Sequence, residues 1–410
     1  MKFRIVITLM LLCMIPGGFL IGTLACYGYQ SIASMIPIMM VVLLGISLIF
    51  AIFHFPRITP TKLQTYFLFF YIIYHLYTFY YILIAPEVPR ADMDNVPLDN
   101  SVLYRDFIIQ TISVMLVGFY KKYIDFSLFA KVTSVIVAIL GIFYYSRVGF
   151  ATYGIEDTLD NKLYSEQQFI VSFRLARYFA IAFFCCIACK SLWFKSEKIN
   201  LIMTWLLSAI LLIGLVLTAK RGPILSLFLT FIFWYFIKVK STHIYRSLLL
   251  WGLVIIFLGN IIADLIANYM GGLSERIEVA VKGGGSGRFG SSTSVYPLSW
   301  KQIEDGLLFG SYFRLKNNLW LGDYPHNFIL EMLMTFGIVF TALFTPLFLA
   351  VFKRINALIR YDSSHTLSAT CFLYVFCALM TSSSVFLHTE FWIFLSILCS
   401  YRITFKKRII

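Results

Sequence analysis

The chain has 410 residues, of which 60% are hydrophobic and only 13% are charged, and its mean hydropathy is +0.83. A water-soluble protein keeps about a quarter of its residues charged, so this composition excludes a soluble globular protein and predicts a polytopic membrane protein. The net charge of +14 does not indicate nucleic-acid binding, because the basic residues lie in short loops rather than on one soluble face.

A membrane-spanning helix needs about 20 apolar residues, and the chain has room for about twelve such helices. The spans are predicted at 5–26, 33–54, 63–85, 105–120, 126–146, 169–190, 199–219, 223–239, 246–268, 327–352, 366–382 and 389–405. The sequence therefore predicts an all-α polytopic integral membrane protein in which one membrane domain comprises residues 1–410.

The distribution of charge predicts which side of the membrane each loop faces. With the N-terminus inside and the spans alternating, the inner side collects 20 of the 34 basic and three of the 20 acidic residues. The inner side then carries a net +17 and the outer side −3, which is the asymmetry of the positive-inside rule. Both termini are expected in the cytoplasm, and one large polar loop, at 269–326, is expected outside.

This outer loop combines glycines, an arginine and aromatic side chains. Gly283–Gly287 precede Arg288, and a glycine run of this kind offers backbone N–H groups to an anion or is simply a flexible loop. Its spacing is not that of a nucleotide-binding loop. Trp300 and Tyr324 are suited to stacking on sugar rings and equally to an interfacial aromatic belt.

Further basic residues lie where helices meet the outer interface. Arg174 and Arg177 are three residues apart and share one helix face, and Lys220 and Arg221 form a tight outer turn. Charged groups at membrane depth usually mark a substrate path, and arginine binds phosphate bidentately. These residues predict a pyrophosphate ligand, and snorkelling to lipid headgroups is the alternative.

His326 opens the tenth predicted span and is a candidate for acid–base chemistry. Asn327 is placed to cap the helix, and Asp323 and Glu331 are near in sequence. A neutral imidazole can accept the proton of a sugar hydroxyl. The competing candidate is His388, and contact with lipid headgroups is the alternative for both histidines.

No metal or other cofactor is expected. Three cysteines lie in an apolar run without a nearby His or carboxylate: Cys185, Cys186 and Cys189. They are interpreted as residues that pack between helices and not as metal ligands. Asp92 and Asp94 have a metal-binding spacing but lie in the first outer loop. His75, a lone histidine within a span, is interpreted as a hydrogen-bonded helix contact.

Several short motifs occur together between Lys220 and Phe340. They are Lys220–Gly222, Gly285–Arg288, Trp300, Leu308–Gly310, and His326–Asn327 followed after nine residues by Gly337. This set resembles the O-antigen polymerase and ligase superfamily, whose signature is His-(Asn/Ser/Gln)-x9-Gly-x-x-(Gly/Thr/Tyr). Phe340 departs from the last signature position, which concerns helix packing more than chemistry.

The resemblance implies a metal-independent, C-type integral membrane glycosyltransferase in the bacterial inner membrane, acting at its periplasmic face. Its implied partners are an undecaprenyl-pyrophosphate-linked oligosaccharide donor and acceptor, membrane lipid and a chain-length regulator protein. By analogy, His326 activates or orients the acceptor hydroxyl. The donor pyrophosphate is held by Arg221 and Arg288, assisted by Arg177, Arg174 and Lys220. Supporting residues are Asn327, Glu331, Asp323, Tyr324 and Trp300.

Polymerase and ligase differ in whether the acceptor is another lipid-linked repeat or lipid A–core. The pattern from Gly285 to Glu331 looks more like the polymerases, and the ligase stays open as the alternative. A lipid-oligosaccharide flippase is the alternative from another class, and it should carry charges along a central cavity through many helices.

Overall fold

The computed structural model of the protein consists mainly of helices in the segments it describes. These are residues 8, 19–21, 23, 24, 27, 29–54, 59–84, 100–148, 162–188, 196–218, 221–238, 294–311, 315, 324–361, 366–381, 384, 385 and 388–401. Within them lie eleven α-helices, a short 3-10 turn at Lys121–Tyr123, and no strand.

The helices largely follow the apolar runs of the sequence. In chain order they are α1 (Gln30–His54), α2 (Lys62–Ile84), α3 (Asn100–Tyr120), α4 (Phe126–Val148), α5 (Lys162–Ala188), α6 (Glu197–Leu217), α7 (Arg221–Lys238), α8 (Val295–Asp305), α9 (Phe328–Tyr361), α10 (Thr366–Thr381) and α11 (Thr389–Ser400). All but α8 coincide with predicted spans. The predicted span 5–26 is described only in part, and the span 246–268 lies outside the described residues.

Four of the described helices are long and apolar enough to cross a membrane. They are Met35–His54, Phe126–Ser146, Glu197–Leu217 and Phe328–Arg360. Shorter apolar helices occur within α3, α5, α7, α10 and α11. The set is that of a multi-pass helical membrane protein, while the number of twelve crossings stays a prediction.

The centre of the bundle is formed by α10 and α11, whose side chains are buried almost all round. Trp392 of α11 is fully buried against rings of α2, including those of Phe70 and Tyr74. By contrast, α1 and α6 each expose a row of large apolar side chains, such as Phe53 and Trp205. A helix that is apolar on all sides belongs in a core or in lipid, so α10 and α11 lie inside and α1 and α6 outside.

Arginine side chains cap helix C-termini at one end of the bundle. Arg354 donates from Nη1 to the carbonyl oxygens of Leu398 (2.8 Å) and Cys399 (2.7 Å), and Arg360 donates to that of Ile237 (2.7 Å). The last carbonyls of a helix lack partners within the helix and carry partial negative charge. The bonds from Arg354 lie at the C-terminus of α11, which ends at Ser400. The span predicted from the sequence ends five residues later, at 405.

The helix α9, which covers the predicted span 327–352, is kinked at Gly337. Gly337 has φ 67° and ψ −176°, and α9 continues beyond it to Tyr361. The N–H of Ile338 bonds to the carbonyl of Leu307 (2.9 Å), and that of Val339 to Leu308 (3.1 Å). The segment that follows α8 therefore supplies hydrogen bonds that the break removes from the helix.

Candidate functional site

Several of the residues singled out in the sequence meet at the end of the bundle opposite the arginine caps. This end contains the N-terminus of α9, the C-terminus of α10 and the N-terminus of α11. The N-terminal part of α7 joins them, since Ser226 lies 3.1 Å from Thr381 at the end of α10. The chain order alone does not reveal this meeting, because the elements are far apart in sequence.

Asn327 caps α9, as the sequence predicts. Its Oδ1 accepts hydrogen bonds from the backbone N–H groups of Ile329 (3.0 Å) and Leu330 (3.2 Å). Its Nδ2 donates to the carbonyl oxygen of Met380 at 3.4 Å, which ties the start of α9 to the end of α10. One side chain thus both begins the helix and fixes its neighbour.

His326 lies immediately before this cap in an unusual backbone conformation. Its φ is 54°, in the left-handed region that non-glycine residues adopt uncommonly. The imidazole is partly exposed, and its ring centre lies 4.3 Å from that of Tyr324. A ring that is partly exposed and held by neighbouring contacts is available to a ligand at the surface of the bundle.

Glu331 is buried, with 1% of its surface exposed, and holds the loop between α10 and α11. One carboxylate oxygen accepts a hydrogen bond from the hydroxyl of Ser384, and the other accepts one from the N–H of Val385 at 3.0 Å. The carbonyl of Val385 in turn accepts from the indole N–H of Trp392 at 3.2 Å. Glu331 therefore supports the site by positioning this loop.

Arg177, in the interior of α5, contacts two residues at the start of α11. Its Nη1 lies 2.6 Å from each ring nitrogen of His388 and 3.9 Å from Oε2 of Glu390. The same carboxylate oxygen lies 3.8 Å from Nδ1 of His388. All three residues are at least nine-tenths buried, so the contact of His388 with lipid headgroups, offered as an alternative, is wrong.

Because guanidinium is only a hydrogen-bond donor, the ring nitrogen of His388 that bonds to Arg177 must be an acceptor. The lone pair that a catalytic base would need is then engaged within the protein. Sequence reasoning named His388 as a competitor of His326 and passed over Glu390. The signal was present, since a carboxylate in the first turn of an apolar helix is rare in a membrane segment.

The remaining predicted site residues are more peripheral or lie outside the described part. Trp300 is 51% exposed on the amphipathic helix α8. Arg221 is the first residue of α7 and Arg174 lies within α5, and the side chains of both lie outside the described part. Lys220, the glycine run Gly283–Gly287, Arg288 and Asp323 also lie outside it.

His75 is a second buried histidine, at the centre of α2. Aromatic rings surround it, including those of Tyr71 at 3.9 Å and Phe107 at 4.1 Å between ring centres. Neither ring nitrogen has a hydrogen-bond partner among the described residues, so the interpretation as a hydrogen-bonded helix contact stays a prediction. No group of three or more His, Cys, Asp or Glu residues that could hold a metal ion occurs in the described segments.

The chain matches no protein-family model, and no curated protein matches it.

Proposed function

We propose that the protein is an O-antigen, or surface-polysaccharide, polymerase that joins undecaprenyl-pyrophosphate-linked repeat units at the periplasmic face of the bacterial inner membrane. The observation that carries the proposal is the arrangement at one end of an apolar bundle. There the buried Arg177 contacts His388 at the start of α11, and His326 precedes the start of α9, which Asn327 ties to the end of α10. A cation for pyrophosphate and an imidazole for a hydroxyl are the two groups that such a transfer needs.

The reaction is a displacement at the anomeric carbon of the donor. A hydroxyl oxygen of the acceptor repeat forms the new glycosidic bond, and the bond from the anomeric carbon to the pyrophosphate oxygen breaks. Undecaprenyl pyrophosphate leaves with the bonding electron pair, and the hydroxyl proton passes to a base. Neither an oxidant nor a metal is required for this balance.

His326 is assigned the role of that base, or of orienting the hydroxyl. Its ring is partly exposed, and the cap formed by Asn327 fixes the position of the helix that follows. Tyr324 packs against the same ring and limits its orientations. General base catalysis depends on such positioning and contributes about 10²–10⁴-fold to a rate.

Arginine side chains are assigned to the leaving group, where negative charge develops. Arg177 is the described member of the set, and Arg221 begins α7 at the same end of the bundle. The same role, binding the pyrophosphate leaving group, is assigned to Arg288, Arg174 and Lys220. Fixed cations aimed at developing charge are a large source of transition-state stabilisation in a site from which water is excluded.

A deletion strain tests the proposal. Removal of a polymerase should leave lipopolysaccharide that carries a single repeat unit, and the ladder of longer chains should vanish from a gel. Loss of all repeats, including the single one, would instead indicate a ligase or a flippase and would overturn the proposal. Purified protein should also elongate a lipid-linked repeat without added metal.

A further inference from the structure

The contacts that Arg177 makes with the described residues leave one side of its guanidinium group without a hydrogen-bond partner. The hydrogen bond to His388 and the ion pair with Glu390 both involve Nη1. A guanidinium group carries five N–H donors in a planar fork. Nε and Nη2 make no hydrogen bond with any residue in the described segments, and together they form the edge that binds two oxygens of a phosphate.

The cost of burying Arg177 explains why Glu390 stands beside it. A guanidinium that is 8% exposed within a helical bundle loses most of its hydration and needs a compensating charge. Glu390 supplies that charge from the first turn of α11, where the positive end of the helix dipole favours a carboxylate. Its Oε2 has no hydrogen-bond partner among the described residues, so Arg177, His388 and the helix end provide its stabilisation.

We propose that Glu390 and His388 are positioning residues, which anchor Nη1 of Arg177 so that its Nε–Nη2 edge receives the donor pyrophosphate. This inference rests on the proposed function. Glu390 contributes charge and His388 contributes an acceptor nitrogen, and neither touches the substrate. The complete burial of His388 and its engagement with Arg177 agree with this role and not with that of a base that reaches a sugar hydroxyl.

The test is a double-mutant cycle on the full-length protein in lipid nanodiscs, with elongation of a lipid-linked repeat as the assay. Glu390→Gln should raise the KM for the donor by about tenfold, with a smaller change in kcat, because one anchor of the arginine weakens. Arg177→Gln should raise KM further. Adding Glu390→Gln to Arg177→Gln should have no further effect, since Glu390 acts only through the arginine.

Thermal unfolding separates this role from a purely structural one. Arg177→Gln leaves a buried carboxylate without its partner and should lower Tm, whereas the double variant carries no charge at the site and should regain Tm. The double variant should still bind donor poorly. A double variant with the wild-type KM, or additive effects of the two substitutions, would overturn the inference.

Two further measurements complete the design. Arg360→Gln removes an exposed arginine at the opposite end of the bundle and should leave the donor KM unchanged.

Binding of undecaprenyl pyrophosphate, measured by native mass spectrometry, tests the site without turnover. If wild-type protein binds this lipid through Arg177 and Glu390 but does not elongate, the inference holds and the polymerase assignment fails. If Arg177→Gln binds it as wild type does, the inference is wrong.

Discussion

The backbone of Gly310 lies directly against that of Gly337 at the break in α9. Both glycines have positive φ angles, 81° and 67°. A Cβ atom at Gly310 would overlap the backbone of Thr335, and one at Gly337 would overlap that of Leu308. The motif Leu308–Gly310 therefore packs, backbone against backbone, on Gly337 of the His326–Gly337 motif. This contact holds the segment after α8 to the half of α9 that bears Glu331.

Gly337→Ala should destabilise the protein, because an alanine is strained at this φ and its methyl group has no room. Strain at such a residue costs about 1–3 kcal/mol before any overlap is counted. Thermal unfolding in detergent measures the effect. The matched control is Gly45→Ala in α1, where an added Cβ meets no atom within 4 Å. It should stabilise by about 0.5–1 kcal/mol, and equal effects at the two sites would contradict the prediction.

Glu331→Ala should destabilise the protein by about 3 kcal/mol, since it removes two hydrogen bonds to a buried carboxylate and leaves the N–H of Val385 without its acceptor. Glu331→Gln retains one carbonyl acceptor and should cost less. The same unfolding assay applies. Glu304→Ala, at an exposed position on α8, serves as the control and should change little. A normal Tm for Glu331→Ala would show that the loop at 384–385 is held by other contacts.

His326→Ala should reduce elongation by about 10²–10⁴-fold, the usual contribution of a general base, while the protein still inserts and binds donor. His326→Asn is the sharper variant, because asparagine tolerates the left-handed φ of 54° that His326 adopts. It should be equally inactive with an unchanged Tm. His54→Ala, an exposed histidine at the end of α1, is the control. Near wild-type elongation by both His326 variants would remove this residue from the mechanism.

Arg221→Lys and Arg288→Lys should each lower chain elongation by about tenfold or more at unchanged protein level. Lysine keeps the positive charge but loses the planar fork that binds phosphate through two parallel hydrogen bonds. Elongation of purified lipid-linked repeat measures the loss. Arg360→Lys, remote from the site, should elongate normally. Full activity of both lysine variants would leave these arginines only a general electrostatic role.

The charge asymmetry of the loops predicts the topology directly. A reporter fused after Gly272 should behave as periplasmic, and one fused after Lys240 as cytoplasmic, because basic residues are retained on the inner side. Paired alkaline phosphatase and green fluorescent protein fusions read the two compartments. The reverse result at either position would place the arginines and His326 on different sides and would remove the proposed site.

Most helices in the described part of this protein could be predicted from its amino-acid sequence. In lipid, each backbone polar group must be satisfied within its own segment, so apolar runs such as 366–382 and 126–146 become helices. The capping of α9 by Asn327 could also be predicted from the sequence. These features depend on neighbours within a few residues, and a pattern of that length is sufficient to predict them.

The contacts between residues far apart in the chain could not be predicted from the sequence and are seen in the folded structure. Arg177 and His388 are 211 positions apart and meet because α5 and α11 both pack against α10. The break at Gly337 depends on hydrogen bonds from another segment, and Glu331 is engaged by a loop 53 positions away. Such contacts follow from which faces of the helices pack together. In a chain whose spans are apolar on nearly every side, the pattern of hydrophobic residues does not specify those faces.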